Sequence, residues 1–323
     1  MQLLTLVLIG ATLVDDGTLE GHTLGNIWHI THSRDGSRIA SCNNVEVVIW
    51  DAATRKKIVS IPVEASAGVM TVALSNDGTR VAVPLDKRIA WFDTTTGAHL
   101  SDIVLAGDGG AQAMQVSPDG ATLVASTAGE DGSYLVVGDN VFDVASGKRS
   151  QQLARAKSSA RLTSDFAFGG GLLALAVSNK AHGVEVFDTR TWKRLHQQKY
   201  KADATRVAFS SDGKWFVTGS IDRRLRVHDA ATGKLVKEWV AHAGTRNDDQ
   251  GYVIGLAVTP DDQLIISASD DPDSLRAWDA KTFTQLAAAP NAVGRLSAFS
   301  LSPDGKTIVV GGTFKKLQVL RVE

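Results

Sequence analysis

Three histidines near the start of the chain, His22, His29 and His32, are of the residue type that builds a transition-metal site. Such a site needs ring nitrogens that converge on one point. In an extended strand, side chains three residues apart leave from opposite faces, so His29 and His32 are not expected to converge. Carboxylates that could hold a hard cation gather at Asp270, Asp271 and Asp273, and again at Asp248 and Asp249. The first group lacks EF-hand spacing and the glycine that bends such a loop, so solvated turn carboxylates are the expected reading. Gly-x-Ser-x-Gly, Gly-x-x-x-x-Gly-Lys-Ser/Thr and His-Glu-x-x-His are all missing from the sequence. No catalytic residue, cofactor or metal is therefore expected. The one cysteine, Cys42, excludes an intrachain disulfide framework and any cysteine-cluster metal site. Lys201, Arg206, Arg223, Arg224, Arg226 and Lys234 form a basic stretch, but only Tyr200 and Trp215 lie near it as aromatics. With 34 Lys and Arg against 35 Asp and Glu, the net charge of -1 gives no pull toward nucleic acid or an anionic membrane.

The elements that must position these residues are written as a repeat. Ser-x-Asp-Gly occurs at Ser33–Gly36, Ser75–Gly78, Ser117–Gly120, Ser210–Gly213 and Ser302–Gly305, with worn copies at Thr259–Asp262 and Gly169–Gly171. A second signature follows each: an apolar or aromatic residue and then Asp, as in Trp50-Asp51, Phe92-Asp93, Phe142-Asp143, Phe187-Asp188 and Trp278-Asp279, with His228-Asp229 as a variant. Its tails end in polar turns such as Asp229-Ala230-Ala231-Thr232-Gly233-Lys234. Asp-Gly turns between short β-branched runs are hairpin chemistry, because glycine takes the positive φ that tight turns require. Val207–Phe209, Trp215–Thr218, Leu225–His228 and Leu235–Trp239 read as four short strands, one antiparallel sheet per repeat.

On these motifs the chain resembles the WD40-repeat β-propellers of the bacterial style. The resemblance implies an all-β, seven-bladed β-propeller of four-stranded antiparallel blades. Seven first strands can be counted, centred on Thr31, Ala73, Gln115, Ala167, Ala208, Ala257 and Ser300, and six of these seven are small, as a crowded axis requires. Residues 1–323 then form one propeller, with blade cores near 26–63, 69–105, 111–154, 162–198, 204–240, 253–288 and 295–323. The last repeat ends on its third strand at Leu317–Glu323, so a strand within 1–20 is expected to complete it, either the Leu3–Leu8 run or the later Gly17–Glu20 stretch. The family also implies a buried structural tetrad of His, Ser or Thr, Asp and Trp. Blade one offers His22, Ser41 and Trp50, with Asn43 and Asn44 where Asp is usual. Blade six offers His242, Ser267, Asp271 and Trp278. Blade five offers Thr218 and Asp222, with His228 in place of Trp.

Three long connections stand out: Thr127–Asn140, Ala241–Tyr252 and Asp270–Ser274. In the WD40 fold these kinds of connection emerge on one face, the face by which such propellers most often hold partners. Arg246, Asp248, Asp249 and Tyr252, with Glu130, Asp131 and Tyr134, mix charge with aromatic anchors as recognition surfaces do. The expected function is a non-catalytic scaffold that binds a protein or peptide partner, with the propeller monomeric by itself. The alternatives are a propeller enzyme of the lyase or lactone hydrolase type with its site at the central funnel, and a sensor or targeting module of a larger system. Cytoplasmic residence is expected, and export is the alternative raised by the apolar run Leu3–Val14, which is too short to span a bilayer.

Overall fold

The computed structural model describes residues 11–64, 68–105, 110–128, 136–155, 162–178, 183–242, 251–270 and 274–323. They form seven four-stranded antiparallel sheets. In six of them the four strands are consecutive in the chain. The seventh is built from Leu296–Leu301, Thr307–Gly312 and Lys316–Val322, with Leu13–Glu20 as its outer strand. The inner strands are His29–His32, Ala73–Leu74, Ala111–Val116, Leu162–Gly169, Ala204–Phe209, Val253–Val258 and Leu296–Leu301. Each packs against its neighbours in sequence, and the first packs against the seventh, so the ring is closed. This is a seven-bladed β-propeller.

Closure uses the strand that the last repeat lacks. Leu13 pairs with Val322, Asp15 with Leu320, Leu19 with Leu317 and Glu20 with Lys316. The closing strand thus begins earlier than Gly17–Glu20, while Leu3–Leu8 lies outside the described residues. An irregularity between Asp15 and Thr18 re-aims the strand, and Gly17 there has φ 105°. Leu19, 1% exposed, drops into a core with Ile27, Trp50, Leu317 and Val319.

The repeated turns are self-contained hydrogen-bond units. In the first, Ser33 Oγ donates to Asp35 Oδ1 at 2.6 Å, Ser37 N donates to the same oxygen at 2.9 Å, and Arg38 N donates to Ser33 Oγ at 3.0 Å. Gly36 follows at φ 73°. The worn copy keeps the mechanism: Thr259 Oγ1 donates to Asp261 Oδ1 at 2.6 Å, and Asp262 itself adopts φ 57°. Aspartate tolerates that conformation better than most residues do. In the other turns Asp51, Asp93, Asp143, Asp188, Asp229 and Asp279 each accept from a backbone N–H three residues on. These short turns lie between strands one and two or between strands three and four, so alternation puts all of them on one face of the disc. The connections from strand two to three and from each blade to the next share the opposite face.

Candidate functional site

The tetrad residues of blade one come together. His22 Nε2 meets Ser41 Oγ at 2.7 Å, and Trp50 Nε1 donates to Ser41 Oγ at 2.8 Å. The acid comes from the third strand. Glu46 lies 3.3 Å from His22 Nδ1 and accepts from Thr23 N at 2.6 Å, Thr23 Oγ1 at 2.7 Å and Ser60 Oγ at 2.6 Å. Burial pushes its pKa up, but the bonds from Ser60 and Thr23 outweigh this and hold it at about 2. Asn43 closes the turn, accepting from Val45 N and Glu46 N, both at 3.0 Å. Asn44 instead accepts from Trp28 Nε1 at 2.6 Å. In blade six His242 Nε2 and Trp278 Nε1 both reach Ser267 Oγ at 2.9 Å, and Asp271 lies outside the described residues.

Blade five departs from expectation. Tyr200, eighteen residues before Thr218, stands where His22 stands in blade one. Its hydroxyl is 2.9 Å from Thr218 Oγ1 and 2.8 Å from His228 Nε2. Asp222 does not reach this group; it accepts from Arg226 Nη2 at 2.5 Å. Arg226 also meets Glu238 at 2.6 Å and stacks 4.7 Å over the Tyr200 ring. The spacing between Tyr200 and Thr218 was the available signal, since His22 precedes Ser41 by nearly the same interval.

Ser41→Ala is expected to cost about 1–3 kcal/mol, because it strips the shared partner from two buried ring nitrogens, His22 Nε2 and Trp50 Nε1, at once. Urea unfolding of the variant tests this, and a loss below about 0.5 kcal/mol would show that the group contributes only packing.

The axis is less bland than its small middle residues suggest. One residue before each of those seven triplets stand His29, Thr71, Ala113, Asp165, Arg206, Gly255 and Ala298. Three of these seven, His29, Asp165 and Arg206, are ionisable. His29, Asp165 and Arg206 all line a central cavity of about 410 Å³, together with Gln112, Gln115 and Ser297. Asp165 Oδ2 accepts from Val207 N of the next blade at 3.0 Å, and burial raises its pKa to about 6. His29 Nδ1 accepts from Val72 N at 3.4 Å, and His32 Nδ1 meets Ser300 Oγ at 2.8 Å. The two rings therefore turn to blades on opposite sides of blade one, and burial lowers both pKa values to about 4. The signal lay in the flank of each triplet, which tabulating only the triplet centres hides.

The residues expected to hold a partner fall mostly outside the described ones: Glu130, Asp131, Tyr134, Arg246, Asp248 and Asp249. Tyr252 is described and partly buried at the start of blade six. The first long connection is shorter than expected, because the strands reach Ala128 and restart at Val136, with Asp139 and Asn140 buried. Asp270 ties two of the connections together, accepting from Gly251 N at 2.7 Å and from Arg295 Nη2 at 3.2 Å. Four large apolar side chains are exposed in connections: Leu24, Val45, Met70 and Phe314. All four sit in strand two-to-three or blade-to-blade connections, and so on one face. Among the described residues, no connection of the opposite face exposes a large apolar side chain; its turns are the Asp-anchored units above, and Leu100, Val104, Leu195, Leu235, Val236 and Val240 are exposed on outer strands at the rim. Among the described residues, no helix is long and apolar enough to cross a membrane.

The molecule is thus a propeller with structural Ser-His-Trp groups, a polar axial cavity and one apolar face. Residues 15–51 and 193–229 match the WD domain, G-beta repeat family. Each match starts on or just before the outer strand of one blade and ends on the third strand of the next, which is the offset that closes the ring. The seven four-stranded blades and these two repeat matches support assigning the chain to the WD40-repeat β-propellers. It is 28% identical over 138 residues to an uncharacterized WD repeat-containing protein of Synechocystis, covering 42% of this chain and 37% of that protein. It is 28% identical over 140 residues to the guanine nucleotide-binding protein subunit beta of Solanum tuberosum, covering 42% and 36%. It is 26% identical over 129 residues to the serine-threonine kinase receptor-associated protein of Gallus gallus, covering 39% and 33%. The matched segments span about a third of each relative's length.

Proposed function

We propose that the protein is a non-catalytic platform that holds a protein partner against the face carrying Leu24, Val45, Met70 and Phe314. The segregation of apolar side chains exposed in the connections supports this reading: among the described residues four lie in connections of one face and none in those of the other. Ordered apolar groups beside a polar rim are what interface centres use, and a monomer gains nothing by exposing them. The proposal assigns the polar rim to the residues singled out in the sequence, Arg246, Asp248, Asp249, Tyr252, Glu130, Asp131 and Tyr134. The kinship with a guanine nucleotide-binding protein beta subunit and a kinase receptor-associated protein points the same way. Cytoplasmic residence and a monomeric propeller complete the proposal.

The test pairs two variants. Met70→Asp with Phe314→Asp is expected to weaken the partner complex roughly tenfold or more, at nearly unchanged melting temperature. Arg190→Ala with Lys214→Ala, whose side chains are 88% and 81% exposed on the opposite face, is expected to leave the complex intact. Affinity purification from the native host with quantitative mass spectrometry reads both. The reverse pattern would put the partner on the other side of the disc. Turnover of lactones or esters that disappears with substitutions at the axis would overturn the non-catalytic part.

A further inference from the structure

The axial cavity presents two kinds of hydrogen-bonding group to a ligand. Arg206 lines the cavity partly buried, and its guanidinium makes one hydrogen bond to protein, from Nη1 to Thr205 O at 2.7 Å. Asp165 stands on the adjacent blade and influences Arg206 electrostatically, but the two are not in salt-bridge contact. A guanidinium has five N–H donors, and a partly buried one can spend several on a carboxylate. Gln115 supplies the complementary want. Its Oε1 is buried and accepts no hydrogen bond, although the residue lines the same cavity. A buried carbonyl oxygen without a donor costs about 1–3 kcal/mol.

We infer that the cavity binds a small amino-carboxylate, an α-amino acid or a similar zwitterion, with its carboxylate on Arg206 and its ammonium facing Gln115 Oε1 and Asp165. A simple anion would satisfy the guanidinium but would face the Asp165 carboxylate. A simple cation would satisfy Asp165 and Gln115 but would face Arg206. A zwitterion meets both and leaves the net charge of the cavity unchanged. The cavity's 410 Å³ falls at the small-molecule end of binding-site sizes. The cavity runs along the inner strands, from Trp28 and Met70, which precede them on the apolar face, to Phe168, Phe209 and Leu301 near their far ends. The inference does not depend on partner docking, because the ligand is taken up by the propeller alone.

The chain contains three methionines, and two of them, Met70 and Met114, line this cavity. Methyl-labelled methionine spectra therefore report on the site directly, with Met1 as the third signal. Titration of the intact protein with a panel of free α-amino acids is expected to shift the Met70 and Met114 resonances saturably for at least one of them. The matching carboxylic acid without the amine, and the amine without the acid, should each bind at least tenfold more weakly. Arg206→Gln should abolish the shifts, and Gln115→Leu should weaken them several-fold while keeping Arg206 in place. Dispersed methyl signals in each variant show that it is folded. Absence of any saturable shift up to tens of millimolar would overturn the inference. So would equal binding of the acid lacking the amine, or binding that survives Arg206→Gln. Partner capture measured on the same Arg206→Gln protein keeps the two proposals apart, because the face variants alone are expected to change it.

Discussion

A variant lacking residues 1–20 is expected to melt at least ten degrees lower than the full chain, or to fail to fold cooperatively. Three losses add. Leu19, almost fully buried against Trp50, Leu317 and Val319, takes about 1.5–3 kcal/mol of apolar burial with it. The pairing partners of Lys316–Val322 vanish, together with the bond from Gln318 Nε2 to Asp15 Oδ1 at 3.2 Å and the contacts of Asp16 with Arg55 and Arg321. The strand so uncovered then becomes an open edge that invites pairing with other chains. The sum is several kcal/mol, a large part of the 5–15 kcal/mol typical of a domain. Leu19→Ala alone should cost about 2–5 kcal/mol. A synthetic peptide of residues 11–21 added to the truncated protein should raise its melting temperature, because the missing strand can bind in trans. Calorimetry checks both. An unchanged melting temperature on truncation would mean that the seventh blade is stable with three strands.

The fold was legible because its turns are local. Ser33, Asp35 and Gly36 satisfy one another within six residues of chain, so the signature survives in sequence wherever the hairpin survives in space. Closure was legible by counting strands, since the last repeat stops one short. The exact closing strand was not: Leu13–Glu20 reads Leu-Val-Asp-Asp-Gly-Thr-Leu-Glu, too polar to attract notice beside the apolar run before it. Its polarity is that of an outer strand with one exposed face. The interior polar groups were harder to see because their partners are distant in sequence. Glu46 was invisible as the acid of blade one, since the search looked for Asp in a turn and the carboxylate sits on a strand. Tyr200 was invisible for a similar reason, being a phenol doing the work of an imidazole. The set at the axis is the extreme case. Asp165 and Arg206 are forty-one residues apart, and nothing local marks them as neighbours. Only the seven-fold superposition of inner strands brings them to one level.

The second large effect is acid lability. Stability is expected to fall steeply between pH 6.5 and 4, by about 3 kcal/mol per pH unit near the middle of that window. Burial holds His29, His32 and His228 at about 4 and lowers His22 below its usual 6.5. The unfolded chain takes up a proton on each of these four as the pH passes 6.5, while the folded protein resists until near 4 at His29, His32 and His228, and to a lower pH than usual at His22. Their contribution is therefore whole above pH 6.5 and is lost as the pH falls. Asp165 acts in the opposite sense. Its folded pKa of about 6 lies above the usual 3.8, so its contribution is whole below 3.8 and is lost as the pH rises through 6. Over the shared window it offsets about one of the three protons that His29, His32 and His228 leave to the unfolded chain, while His22 adds in the same direction as those rings. About two remain, at about 1.4 kcal/mol per proton per pH unit. Urea unfolding at closely spaced pH values measures the slope directly. His32→Gln should reduce it by about one proton. Asp165→Asn should steepen it by about one proton and raise stability at pH 8 by about 3 kcal/mol, because the ionised carboxylate is the costly form there. Below pH 4 a second decline begins as Glu46 and Asp212, both held at about 2, are protonated. A stability that stays flat from pH 7 to 5 would show that the four rings reach water in the folded protein. A shallower slope in Asp165→Asn would reverse the sign assigned to that carboxylate and return it to an ordinary ion pair with Arg206.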